Sequence, residues 1–296
     1  MGSGQDDLNN LGRGGRAAHR MALSAYPLSV ASLILAIVLA WTVLAVMALR
    51  VAAIDASAAG PGGTWLAGLP DMPVPGFVET LLALCLAPAE AGAGGIRFAV
   101  IAVMWFLMAL AMMLPSAGPM IRTYCEIADT AAAKGEKAVH PLILVCGYLA
   151  VWLAASVVFA LIVTLLGNVR LRTLALAPVD GFLGAAVLAG AGLYQFSGLK
   201  EACLIKCRNP FATLFGRWST RRVAIFRLGV EQGLWCLGCC WALMLVMLVV
   251  GVMNIFWMAL LGVFAIVEKH GHDRFFTRLS GGVLLVWALG LLVISA

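Results

Sequence analysis

The sequence predicts an all-α fold, a polytopic transmembrane helical bundle with about seven spans. Of the 296 residues, 63% are hydrophobic and only 11% are charged, and the mean hydropathy is +1.01. Soluble domains contain about 45–50% apolar and roughly 25% charged residues, so they do not have this composition. The apolar runs are also unbroken rather than alternating, which argues against a β-barrel.

Seven apolar segments are predicted to span the membrane. They lie at 28–49, 98–121, 142–166, 181–199, 230–250, 253–267 and 280–295. The last two are short, because a crossing needs about 20 apolar residues. Only the stretch from Gly251 to Asn254 separates the fifth and sixth segments, which predicts a tight helical hairpin.

These segments divide the chain into a tail, a first helix, a loop and a membrane domain. The predicted parts are a cytoplasmic N-terminal tail (1–27), a first transmembrane helix (28–49), an outward-facing loop rich in Gly, Pro and Ala (50–97) and a six-helix membrane domain (98–296). Alternatively, the first helix is a signal peptide cleaved at "ASA" (56–58). Its apolar stretch is longer than the usual h-region of about 7–15 residues.

The distribution of Lys and Arg predicts the orientation. With a cytoplasmic N-terminus, only Arg50, Arg97, Arg170 and Arg172 of the 20 basic residues lie outside. Cytoplasmic loops carry such an excess of basic residues, so we predict a multi-pass protein of the bacterial inner membrane. The net charge of +6 therefore reflects orientation in a lipid bilayer and does not indicate nucleic-acid binding.

Five of the eight cysteines form two groups, one at the predicted cytoplasmic end of the fourth span and one in the cytoplasmic half of the fifth. "CLIKC" contains Cys203 and Cys207, and "CLGCC" contains Cys236, Cys239 and Cys240. The cytosol is reducing, so structural disulfides are not expected there. Close thiols in such a compartment indicate metal binding or catalysis.

The spacing of these cysteines agrees with a site shared by two helices. Cys203 and Cys207 are four residues apart, as are Cys236 and Cys240, and residues four apart share a helix face. Two facing pairs would resemble a tetrathiolate zinc site, and soft thiolates also select Cu(I). Two alternatives stay open, namely packing of small apolar side chains and thiol redox chemistry at the C-x-x-C pair Cys236 and Cys239.

Other soft or polar residues give weaker signals. Met104, Met108 and Met112 follow one another at four-residue steps, a pattern that fits both a soft-metal path and ordinary packing. "EKHGHD" (268–273) offers two histidines, but a solvated juxtamembrane loop explains it equally well. No acid/base pair or hydrolytic triad occurs, so we do not predict a conventional enzyme.

Three stretches carry a resemblance to a known family. They are "MWFLMALAMMLPSAGPM" (104–120), "GLYQFSGLKEACLIKCRNP" (192–210) and "GLWCLGCCWALMLVMLVVGVMNIFWMALLGVFAIVEK" (233–269). From about residue 97 onward the chain resembles a bacterial family of predicted metal-binding integral membrane proteins (domain of unknown function 2182). The resemblance implies that the metal positions are Cys203, Cys207, Cys236, Cys239 and Cys240.

The sequence therefore predicts a membrane protein that binds a soft metal ion, copper or zinc, at a cytoplasmic-side cysteine cluster. Its expected role is metal handling or the assembly of another membrane protein or metalloprotein subunit. The alternatives are a membrane thiol-disulfide oxidoreductase that uses Cys236 and Cys239, and a structural membrane subunit without a site.

Overall fold

A computed structural model describes residues 25–54, 76, 94–169, 181–251, 254–271 and 274–295. This part of the chain contains helices and no strand, as the sequence predicts. The helices are α1 (Ala25–Ile54), α2 (Gly94–Ser116), α3 (Gly118–Ala133), α4 (Pro141–Val169), α5 (Gly181–Gln195), α6 (Gly198–Arg208), α7 (Pro210–Gly216), α8 (Arg222–Val250), α9 (Ile255–His270) and α10 (Phe275–Ser295). The start of the predicted tail, most of the predicted loop 50–97 and Cys85 lie outside the described residues.

Five of these helices are long and apolar enough to cross a membrane. The candidate spans are Ser29–Arg50, Phe98–Ser116, Pro141–Leu165, Arg222–Val250 and Phe275–Ser295. Helices α5 and α6 add a sixth if the pair, which bends by 62°, is one broken span. Helix α9 has only 16 residues, and the described residues thus contain five or six candidate spans. The prediction of about seven spans is not confirmed.

The second predicted span, 98–121, is divided into two helices. Helix α2 ends at Ser116, directly after Pro115, and α3 begins at Gly118 with Pro119 in its first turn. Proline lacks a backbone N–H and cannot continue the hydrogen-bond ladder, but it is tolerated in the first turn of a helix. The two prolines therefore separate an apolar helix from the more polar α3.

The backbones of α4 and α8 cross in direct contact. A Cβ atom on Gly147 would lie 2.1 Å from the carbonyl oxygen of Phe226, and one on Gly229 would lie 2.0 Å from that of Leu144. Small residues allow this close approach between transmembrane helices. The crossing places Tyr148 of α4 beside the cysteines of α8.

A buried ion pair joins α6 to α9. Lys200 Nζ lies 2.8 Å from Glu268 Oε1, and both side chains are only 1% exposed. Thr277 of α10 donates a hydrogen bond of 2.7 Å to the same carboxylate oxygen, and Arg208 Nη2 donates one of 2.8 Å to the backbone carbonyl of Glu268. These contacts hold α6, the helix that carries Cys203 and Cys207, against the end of α9.

The glycine crossing predicts a large effect of a single methyl group. Gly229→Ala should destabilise the protein by about 3 kcal/mol, because the new Cβ overlaps a backbone atom that cannot rotate away. Gly190→Ala is the matched control, since a Cβ atom there meets nothing within 4 Å. Thermal unfolding in lipid nanodiscs would measure both variants. Equal melting temperatures for the two variants would contradict the close crossing.

The buried ion pair predicts a strong single-site effect and a weak control. Glu268→Gln should lower the free energy of unfolding by about 3–5 kcal/mol, because it leaves the Lys200 ammonium buried without its counter-charge. Adding Lys200→Met to the Glu268→Gln variant should recover part of that loss, because it removes the unpaired buried charge. In the exposed pair Arg122–Glu126, Glu126→Gln should cost less than about 1 kcal/mol. A Glu268→Gln protein as stable as the wild type would rule out a buried charged pair.

Candidate functional site

The thiols of α6 and α8 meet where these two helices pack side by side. Cys207 Sγ lies 3.9 Å from Cys239 Sγ, and Cys239 Sγ lies 3.2 Å from Cys240 Sγ. The predicted approach of the two cysteine groups is therefore present in the structure. The sulfur that faces α6 most directly belongs to Cys239, although the four-residue spacing had pointed to Cys236 and Cys240.

Cys203 occupies a different position on α6. It is 4% exposed, and a Cβ atom on Gly238 would lie only 2.6 Å from its sulfur. The thiol thus fills the space that the missing side chain of Gly238 leaves on α8. This contact brings α6 close enough to α8 for Cys207, one turn further along, to reach Cys239.

Cys236 has polar partners from two other helices. Its Sγ lies 3.0 Å from the Tyr148 hydroxyl, and Lys269 Nζ donates a hydrogen bond of 3.0 Å to it. Lys269 also donates a hydrogen bond of 2.7 Å to Ser116 Oγ. Cys236 is thus hydrogen-bonded to side chains of α4 and α9.

The cation beside this thiol is far from the cysteines in sequence. Lys206 and Arg208 adjoin Cys207 in the sequence. Arg208 instead donates to the carbonyl of Glu268, and it is Lys269 that contacts Cys236. The sequence does contain a signal for this contact. Glu268 and Lys269 end a short apolar segment, and charged residues within such segments need buried partners.

A cavity of about 140 Å³ lies next to these thiols. The described residues of its wall supply two thiols, a thioether, two basic side chains, an imidazole, an amide and two hydroxyl groups, and no carboxylate. The lining residues are Ser116, Ala117, Pro119, Met120, Tyr148, Cys207, Arg208, Gln232, Cys236, Lys269 and His270. The cavity therefore provides access to both cysteine groups.

The methionine stripe and the histidines of "EKHGHD" are the other soft or polar candidates. Met104, Met108 and Met112 are buried in the apolar core. His270 lines the cavity, and its Nδ1 lies 2.8 Å from the carbonyl oxygen of Ile266. His272 and Asp273 lie outside the described residues. These contacts fit packing and capping roles.

Cys125 on α3 is a buried thiol of a different kind. Burial, assisted by the negative charges of Asp129 and Glu126, raises its pKa to about 11. A thiol with such a pKa stays protonated at neutral pH, so it is neither a good nucleophile nor a good metal ligand.

The spacing of the sulfurs can be compared with that of a metal site. Two sulfurs bonded to one metal ion at about 2.3 Å in a tetrahedral array lie about 3.8 Å apart. The Cys207–Cys239 distance of 3.9 Å agrees with this value, whereas the Cys239–Cys240 distance of 3.2 Å is shorter. Among the described residues, no three His, Cys, Asp or Glu side chains form a group that could hold a metal ion. The cysteines described by the structure form no disulfide.

Comparison with known proteins gives one match. Residues 102–291 match the model of the PpoB2 family, which is described as a copper chaperone. No curated protein and no solved structure matches the chain. The family predicted from the sequence is thus confirmed only as a copper-related family. Because the match covers well over half of the chain, this protein belongs to the PpoB2 copper chaperone family.

Proposed function

We propose that this chain is a multi-pass membrane protein that binds Cu(I) through its thiol cluster and passes it to another protein. The observation that supports this proposal best is the 3.9 Å approach of Cys207 to Cys239, in a chain of a copper chaperone family. Soft thiolate ligands select Cu(I), so the donor atoms agree with the cargo that the family description names.

The five cysteines have different roles in copper binding. Cys207 and Cys239, one from each helix, are the first pair of ligands. Cys240 supplies a third sulfur after a small side-chain movement, and Cys236 lies beside the cavity that leads to the cluster. Cys203 completes the cluster as the thiol packed against Gly238.

A site with few ligands suits a protein that must release its cargo. A structural zinc site closes all four positions with protein ligands, which makes exchange slow. A pair of thiols beside a cavity leaves coordination positions for a ligand from the recipient protein. We infer that the partner is a copper-requiring metalloprotein, and that it offers its own soft ligands at the mouth of this cavity.

The orientation of the protein in the membrane is part of the proposal. We propose about seven crossings of the bacterial inner membrane, with the short helix α9 as one of them and the N-terminus in the cytoplasm. Arg217 and Arg221 lie on the connection before α8, and Arg274 lies on the connection between α9 and α10. The preference of basic residues for the cytoplasmic side supports a cytoplasmic position of the thiol cluster.

Substitution of either paired thiol should abolish copper binding, and the effects of the two substitutions should not add. Cys207→Ser and Cys239→Ser should each lower the Cu(I) affinity by at least about 100-fold, since even indirect supports of a metal site contribute 10–100-fold. The double variant should lose little more, because groups that act as one unit are not additive. Elemental analysis and competition titration under reducing conditions would measure bound copper.

Cys146→Ser is the matched control for this experiment. Cys146 is an exposed thiol on α4, so its loss should leave the copper content unchanged. If the Cys207→Ser protein keeps its full copper content while Cys236→Ser/Cys240→Ser loses it, the site belongs to α8 alone and the shared site is wrong.

Labelling from each side of the membrane would test the orientation. Cys207 is partly exposed and lines the cavity, so an impermeant maleimide should modify it in inside-out vesicles and not in spheroplasts. Arg97→Cys, placed in a chain without other cysteines, should react from the opposite side. Modification of Cys207 in spheroplasts would reverse the proposed topology.

A further inference from the structure

The cavity beside Cys236 has more hydrogen-bond donors than the described residues around it satisfy. Gln232 is 3% exposed and lines the cavity, and its Nε2 has no hydrogen-bond partner among the described residues. An amide nitrogen carries two N–H groups, and a buried donor without an acceptor costs about 1–3 kcal/mol. An acceptor that enters the cavity from outside the protein would satisfy this group.

Lys269 adds a further donor on the same wall. Its ammonium group has three N–H bonds, and the structure gives acceptors for two of them, Ser116 Oγ and Cys236 Sγ. Hydroxyl groups of Ser116 and Tyr148 also border the cavity. The requirement for an acceptor is therefore shared by Gln232 and Lys269.

The charge of the wall decides what kind of acceptor fits. Among the described residues, the lining contains Lys269 and Arg208 and no aspartate or glutamate, and Glu268 directs its carboxylate to Lys200 and Thr277 instead. An anion would receive charge-assisted hydrogen bonds, which are about twice as strong as neutral ones.

We propose that this cavity is a binding site for a small monovalent anion of halide size. The anion accepts hydrogen bonds from Gln232 Nε2 and Lys269 Nζ and lies beside Cys236. The volume of about 140 Å³ suffices for such an ion with a few waters, since one water takes about 30 Å³. The inference goes beyond copper binding, because it concerns the metal-free protein.

The test compares bromide with gluconate, an anion too bulky for the cavity, at equal ionic strength. Bromide should raise the melting temperature of the metal-free protein in lipid nanodiscs by about 2 °C over gluconate, because a ligand that binds only the folded state stabilises it. Gln232→Glu, which keeps the shape of the side chain and replaces the donor by a negative oxygen, should abolish the difference. Gln232→Leu should do the same.

Gln195→Leu is the matched control. Gln195 is also 3% exposed and has unpartnered amide atoms, but it does not line this cavity, so the bromide effect should persist in this variant. Crystals grown in bromide should give an anomalous peak within hydrogen-bond distance of Gln232 Nε2. Equal melting temperatures in bromide and gluconate, or a bromide effect that survives Gln232→Glu, would mean that the cavity holds only water and would overturn the proposal. Copper content, measured separately, tests the proposed function independently of this result.

Discussion

The contact between Lys200 and Glu268 joins three of the helices around the thiols, namely α6, α9 and α10. The carboxylate accepts from Lys200 of α6 and Thr277 of α10, and the same residue's carbonyl accepts from Arg208. An ion pair without water is stable only when both partners are present and well hydrogen-bonded, so these three helices cannot separate without a large loss. The next residue, Lys269, extends the arrangement to Cys236 of α8 and Ser116 of α2. One end of α9 thus organises the whole site.

The apolar part of the bundle supports this polar end by a different kind of contact. In a membrane the lipid is as apolar as the side chains, so helices associate through close packing and hydrogen bonds. The Gly147–Gly229 crossing supplies the packing, and the Tyr148–Cys236 contact follows one residue later on α4. On the other side, Tyr194 of α5 donates a hydrogen bond of 2.5 Å to the carbonyl of Gly238, directly before Cys239. The cysteine-bearing turn of α8 is therefore held from both sides.

Some of this arrangement could be predicted from the sequence, and some could not. Composition is sufficient for the all-α class and for most long helices, because an apolar run in lipid has to satisfy its own backbone hydrogen bonds. The cysteine spacing indicated that α6 and α8 meet, since close thiols on two successive segments share one end of the bundle. The choice of Cys239 rather than Cys236 as the partner of Cys207 depends on the 62° bend between α5 and α6. No local pattern encodes such an angle, and the span prediction 181–199 continued past the break before Ser197.

The buried charges were the hardest feature to infer, and the reason is physical. Lys200, Glu268 and Lys269 each adjoin an apolar segment, where basic residues usually lie in water and determine orientation. They are buried here because α6 packs against the end of α9, where the two helices contact each other through these side chains. Once buried, each charge must have a partner, and the partners lie on other helices. Lys200 has Glu268, whereas Lys269 has only a hydroxyl and a thiol sulfur among its hydrogen-bond acceptors in the described residues. That difference brings a buried ammonium group against the Cys236 sulfur, at a cavity that is lined by hydroxyl, amide and basic groups.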